Sequence, residues 1–153
     1  GDGSLAMTWT PPSARERLAL LRNAKTIAIV GASDNPARAS YFVGTYLLAS
    51  SDYTVWFVNP MAETVLEHRA YASLADLPAA PDIVDVFRKG DATPDVVRDV
   101  LKRATKPRCI WLQQGITSEE SRALTEAAGM FYVEDRCTAV EAALGRITLE
   151  SAA

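Results

Sequence analysis

Thr26-Ile27-Ala28-Ile29-Val30-Gly31-Ala32-Ser33 decides how this chain is read. Its first five residues form a short apolar run rich in β-branched side chains, and a glycine ends it. A strand with one wet face would alternate apolar and polar residues, whereas an unbroken run suits a parallel strand covered by helices on both faces. Downstream, a polar loop through Asp34, Asn35, Pro36 and Arg38 leads to Tyr41, Val43, Tyr46, Leu47 and Leu48, whose spacing predicts a helix. Upstream, Pro11, Pro12 and Ser13 precede Ala14, Leu18, Leu20 and Leu21, which predicts a short amphipathic packing helix closed near Asn23.

The alternation continues. Residues 54–58, 83–87, 109–112 and 130–133 read as strands, which makes five with the first. Residues 95–104 and 118–128 carry helical periodicity, the second opening on Ser118, Glu119, Glu120 and Ser121, a cluster suited to a helix start. Residues 61–77 are expected to be irregular, with at most a single helical turn. Strands separated by helices predict a single-domain, Rossmann-like α/β fold. Its parallel sheet of five strands would be doubly wound, with right-handed crossovers and the order 3-2-1-4-5.

A chain of 153 residues, 48% of them hydrophobic, can bury a core unaided and leaves little length for a second catalytic domain. The net charge of -3 argues against a general nucleic-acid binder, so an anionic ligand must be held locally. Two cysteines, Cys109 and Cys137, show neither zinc-site spacing nor the density of a disulfide scaffold, which suits a reducing cytoplasm. No apolar run is long enough to span a bilayer, and residues 1–6 lack the order of a signal peptide. A soluble, cytoplasmic protein with no membrane partner is expected. Residues 1–6, which precede Met7, are set aside as an added leader, and the domain is placed at 7–150.

In a doubly wound sheet, ligands sit beyond the carboxyl ends of the strands where the winding reverses, expected here between the first and fourth strands. That directs attention to Gly31 and to residues 113–115. Gly31 permits a tight turn and close backbone approach, while the loop amides and the following helix start offer donors and partial positive charge to a phosphate. Ser33 adds a hydroxyl and Arg38 a forked set of donors. On local sequence alone, a Gly31 that merely ends a strand and a solvated Arg38 fit equally well. NAD recognition would call for further glycines in this loop and an acid at the end of the second strand. The loop instead continues through Asp34, Asn35 and Pro36, and the strand ends at Asn59 and Pro60, so both requirements fail. The nearest cation for a 2′-phosphate, Arg69, lies well downstream. An NADP-type, oxidoreductase-like protein remains the alternative on fold analogy alone.

The chemistry-bearing residues also come in a characteristic order: Gly31, Ala32 and Ser33; Pro36, Arg38 and Ser40; Val58, Asn59 and Pro60; residues 85–88; residues 111–113 with Gly115; and Asp135, Arg136 and Cys137. This series, across residues 25–144, resembles the small stand-alone CoA-binding proteins, relatives of the CoA-binding domain at the start of the succinyl-CoA synthetase α subunit. The resemblance implies a Rossmann-like fold that binds coenzyme A. Gly31, Ala32, Ser33, Asn35 and Pro36 would form the turn over the CoA phosphates, with Arg38 as a phosphate partner. Asn59 and Pro60 would border the adenosine. Phe87, Arg88 and Lys89 would form the opposite wall, Phe87 covering apolar ligand surface and the cations meeting phosphate. The competing roles are core packing for Phe87 and a solvated strand end for Arg88 and Lys89.

Trp111 reads as core and the role of Gln113 stays open. Asp135 and Arg136 are expected to pair with each other or to cap the last helix. Cys137, near a helix start, is either an inert thiol or one able to exchange with the thiol of CoA. After this cysteine, members of the family commonly continue with a basic residue and a histidine. Here Thr138, Ala139, Val140, Glu141 and Ala142 follow, so the role of that helix does not carry over.

No catalytic constellation emerges. His68, the only histidine, sits between Glu67 and Arg69, away from any convincing nucleophile. The synthetase relatives use a phosphorylated histidine in a separate domain and a second subunit, for which this chain is too short. Glu134, Asp135 and Glu141 lack a matched acid or electrophile, and no metal-ligand spacing is present. The expectation is a non-catalytic CoA or acyl-CoA binding protein whose acyl group and protein partner the residues do not name.

Overall fold

Burial on both faces, expected of the run before Gly31, is what the computed structural model shows: Ile27, Ala28 and Ile29 are fully inaccessible. The structure describes residues 9–152. Residues 1–6, expected to be an addition, and the expected start of the domain at Met7 lie outside the described residues. In chain order the elements are α1 (Ala14–Asn23), β1 (Thr26–Val30), α2 (Ala39–Ala49), β2 (Thr54–Val58), β3 (Thr64–Val65), β4 (His68–Tyr71), β5 (Ile83–Val86), α3 (Thr93–Leu101), β6 (Cys109–Leu112), α4 (Glu119–Ala127), β7 (Phe131–Val133) and α5 (Thr138–Ala152). Short 3-10 turns occupy Leu74–Asp76 and Gly90–Ala92. Local chemistry sets the helix starts. Ser13 and Glu16 form a reciprocal capping box on α1, and the Ser118 hydroxyl accepts from the Ser121 amide at 3.1 Å at the head of α4.

The sheet runs β3-β4-β2-β1-β5-β6-β7, parallel throughout except for the antiparallel β3–β4 pair. The α/β, doubly wound, Rossmann-like class therefore stands, while strand count and order differ in detail from expectation. Residues 83–87 were expected at the rim as the third strand. Instead β5 pairs with β1 in the centre, with Ile29 opposite Asp85 and Val30 opposite Val86. The third position out belongs to β4, in a stretch expected to be irregular. That hairpin escapes sequence rules because its turn, Leu66 and Glu67, carries φ of 50 and 65 without glycine or asparagine. Its strands also show little apolar alternation: Val65 is buried, whereas His68 and Arg69 are exposed.

Two cores result. On one face α1, α2 and α5 cover Ile27, Ile29, Phe57, Ile83 and Trp111 with Leu21, Val43, Leu47 and Ala139. On the other, α3 and α4 cover Ala28, Val30, Val84, Val86, Ile110 and Leu112 with Val96, Val97 and Val100. The first helix packs as expected: Arg17 forms an ion pair with Glu141 of α5, and Gly145 admits Leu18 so closely that a Cβ there would clash.

Candidate functional site

β1 feeds α2 on one face of the sheet and β5 feeds α3 on the other, so a crevice opens between these two neighbouring strands at their carboxyl ends. This corrects the expected reversal beside residues 113–115, which lie one strand further along. Gly31 has φ +87, and a Cβ at that position would stand 3.1 Å from Arg88 Cδ and 3.3 Å from the Phe87 carbonyl oxygen. Gly31 is thus demanded twice, by its dihedral and by its neighbour. The crevice wall contains the expected pair of segments, Gly31 to Ser33 and Phe87 to Lys89.

The loop is braced by its own polar groups. The amides of Gly31 and Ala32 both reach the Val58 carbonyl, at 3.2 and 3.3 Å. Ser33 Oγ accepts from the Asn35 amide and Asn35 Oδ1 from the Ala37 amide, each at 3.0 Å. Asp34 Oδ1 accepts from the Leu66 amide at 2.6 Å, which holds the left-handed hairpin turn against the loop. Asn59 is committed as well: Nδ2 donates to the Ala32 carbonyl at 2.8 Å and Oδ1 accepts from the Met61 amide at 2.7 Å. Pro60 beside it is exposed.

What remains uncommitted is cationic or donating. Among the described residues no partner is found for the amides of Ser33, Asp34, Ala39 and Ser40, and Arg38 provides no side-chain cap for α2. The Ser40 hydroxyl is buried at 3% exposure and has no hydrogen-bond partner. Arg38, Arg88 and Lys89 are exposed and make no ion pair among the described residues. An uncapped helix start, an orphaned hydroxyl and three unpaired cations together form an arrangement suited to an anion. Phe87 is half-buried, packed against the first core yet open on one side. Between α2 and the β3–β4 hairpin lies a groove of about 530 Å³ lined by Asp34, Tyr41, Thr45, Leu48, Leu66 and Glu67.

Further along the strand ends sits a polar cluster that sequence reasoning did not assemble. Asp85 of β5 is fully buried, with Oδ2 2.7 Å from Thr138 Oγ1 and Oδ1 without a partner. Gln113, at the end of β6 and also buried, places Oε1 2.9 Å from both the amide and the hydroxyl of Thr138, the first residue of α5. Burial pushes the Asp85 carboxyl up to about 8, with the Thr138 hydroxyl pulling the other way. Burial, and then the charge of Asp85, push the Cys109 thiol up. An acid in the middle of an otherwise aliphatic strand, Ile83-Val84-Asp85-Val86, was the available signal.

Other expectations resolve by geometry. Trp111 is fully buried, its Nε1 donating to the Arg136 carbonyl at 2.9 Å. Asp135 neither pairs with Arg136 nor caps α5. Its φ of 57 turns the carboxylate to accept from the Gly115 amide at 2.7 Å. Cys137 is half-buried at the head of α5, and His68 is exposed on β4, its ring 6.1 Å from that of Phe57.

Residues 25–143 match the family described as CoA binding domain. The chain is 33% identical over 129 residues to YneT of Bacillus subtilis (strain 168), covering 84% of this chain and 93% of that protein. A solved structure from Thermus thermophilus superposes with a TM-score of 0.78 at 39% identity, over 87% of this chain and 98% of the other. A more distant likeness, 27% over 82 residues, reaches the 4-hydroxybutyrate–CoA ligase (ADP-forming) of Nitrosopumilus maritimus. It spans 54% of this chain and 12% of the ligase. By sequence match along most of its length, and by a fold shared with relatives of similar size, this chain belongs to the CoA binding domain family.

Proposed function

We propose that the protein binds coenzyme A or an acyl-CoA in the crevice between β1 and β5, and that it does so without catalysing a reaction on it. One observation carries this reading: the head of α2 is uncapped and holds a buried, partnerless Ser40 hydroxyl, while Arg38, Arg88 and Lys89 make no ion pair among the described residues. The ligand's diphosphate accepts from the amides of Ser33, Asp34, Ala39 and Ser40. Ser33 Oγ already accepts from Asn35, which leaves its own proton to donate. Gly31 and Ala32 set the close approach, Asn35 and Pro36 hold the loop's shape, and the cations supply charge. The adenosine lies toward Asn59, Pro60 and the neighbouring groove, and Phe87 lies against the apolar part of the arm.

A binding role rather than a catalytic one is supported by how the acids are engaged. Glu134 accepts from the Tyr132 hydroxyl at 2.7 Å, Asp135 from Gly115, and Glu141 pairs with Arg17. No group of three or more potential metal ligands occurs among the described residues. Calorimetric titration with CoA, AMP, NAD and NADP tests the proposal. Saturable CoA binding, tighter than that of the other three, is expected. Indifference to CoA with tight NADP binding rejects it.

A further inference from the structure

The Asp85, Thr138 and Gln113 cluster plays no part in holding phosphates, and its hydrogen-bond count does not close with an ionised acid. Thr138 Oγ1 has one proton but stands 2.7 Å from Asp85 Oδ2 and 2.9 Å from Gln113 Oε1. Turning the glutamine amide over does not help, because the Thr138 amide proton at 2.9 Å requires an acceptor there. Both short contacts are bonds only when Asp85 Oδ2 carries a proton and donates to Thr138, which in turn donates to Gln113. The chain of donors then runs one way, and the glutamine oxygen receives both protons of Thr138. Gln113 Nε2 is left with no acceptor among the described residues, and it is not among the fully inaccessible atoms that lack a partner, so it keeps a small accessible surface at the carboxyl end of β6.

We propose that Gln113 Nε2 recognises a carbonyl oxygen of the pantetheine arm, and that Asp85 is the positioning residue that fixes the amide for this task through Thr138. The inference rests on the CoA reading above and adds the part of the ligand that the cluster meets. Gln113 ends β6, two strands from β1, which places it about 10 Å along the strand ends from the phosphate loop. An arm carrying two amides can reach that far, and its carbonyls need donors once water is excluded.

The proton on Asp85 is held by its surroundings. Burial raises its pKa, the Thr138 hydroxyl is the opposing influence, and no cationic neighbour contributes. Across β6 the titratable neighbour is Cys109, itself kept neutral by burial, and β1 presents Ile29 in register. When Asp85 ionises, the Thr138 proton turns to the carboxylate, Gln113 Oε1 loses one of its two donors, and the amide is no longer fixed. Ligand affinity therefore falls as pH rises past the titration of Asp85.

Titration of the full chain with CoA and with adenosine 3′-phosphate 5′-diphosphate, which lacks the arm, tests this between pH 7 and 9. Gln113→Leu is expected to weaken CoA about tenfold and leave the nucleotide fragment unchanged. Asp85→Asn can donate to Thr138 permanently, so it should bind CoA as the wild type does at pH 7 and lose the alkaline decline. Thr138→Val, which keeps the backbone amide but breaks the relay, should weaken CoA and also flatten the profile. The inference is overturned if Gln113→Leu leaves CoA affinity intact or lowers both ligands equally, or if Asp85→Asn keeps the decline. A wild type that binds neither ligand sinks the CoA reading itself, a result distinguishable from all of these.

Discussion

The side-chain amide of Asn59 donates to the carbonyl oxygen of Ala32 at 2.8 Å, so the turn after β1 is fastened to the end of β2. Asn59, which the family resemblance implies would border the adenosine, is therefore a brace for the turn after β1. Asn59→Leu removes a donor and an acceptor and strands both the Ala32 carbonyl and the Met61 amide. A loss of about 1–3 kcal/mol in urea-induced unfolding is expected, with weakened CoA binding alongside. Asn59→Asp, which cannot donate, should lose similar stability and gain no NAD affinity, as fluorescence titration with NADH would show.

Gly31→Ala places a methyl group 3.1 Å from Arg88 Cδ at a φ of +87. The dihedral alone costs about 1–2 kcal/mol. Displacement of the β5 end should remove measurable CoA binding, and a variant as stable and as competent as wild type would show that the turn tolerates a side chain.

Ser40→Ala separates stability from function by sign. The hydroxyl is buried without a partner, so its removal leaves the unliganded protein unchanged or up to about 1 kcal/mol more stable. CoA affinity should nonetheless fall about fivefold. Thermal unfolding with and without ligand reads both quantities in one series.

Arg38→Ala should weaken CoA more than it weakens dephospho analogues if the guanidinium meets a phosphate. Equal losses across the set, measured by calorimetry, would argue against that contact.

Asp85 makes stability depend on pH with a definite sign. Its carboxyl is raised from 3.8 to about 8 in the folded protein, so between these values the native state holds a proton that the unfolded chain releases. The contribution is present in full below the unfolded value and is lost as pH rises through about 8. Urea midpoints of the wild type should therefore decline from pH 5 to 9, and Asp85→Asn should show a shallower decline. Parallel slopes in the two proteins would place the titration elsewhere.

The sheet's centre was legible because Ile27 to Val30 and Cys109 to Leu112 are unbroken apolar runs, and burial on two faces leaves no alternative pattern. The β3–β4 hairpin was not legible. Leu66 and Glu67 adopt a left-handed turn only because Asp34 holds the Leu66 amide and Gly44 leaves room for the leucine, both of which are tertiary facts. Missing that hairpin displaced residues 83–87 to the rim and moved the expected crevice one strand along. Gly31, Ser33 and Arg38 could be picked out locally, since each has a chemical reason to stand after a strand. Ser40 stands in the family series without a role of its own, because what distinguishes it is burial without a partner. Gln113 was singled out but its role stayed open, because its partner Thr138 is 25 residues away and the two meet only when α5 docks.

The outermost strands, β3 with two residues and β7 with three, leave very little unpaired backbone at either rim. A ladder that short offers a neighbouring molecule too few donors and acceptors to extend the sheet sideways. The parallel interior is thus shielded at both rims from sideways polymerisation into fibrils.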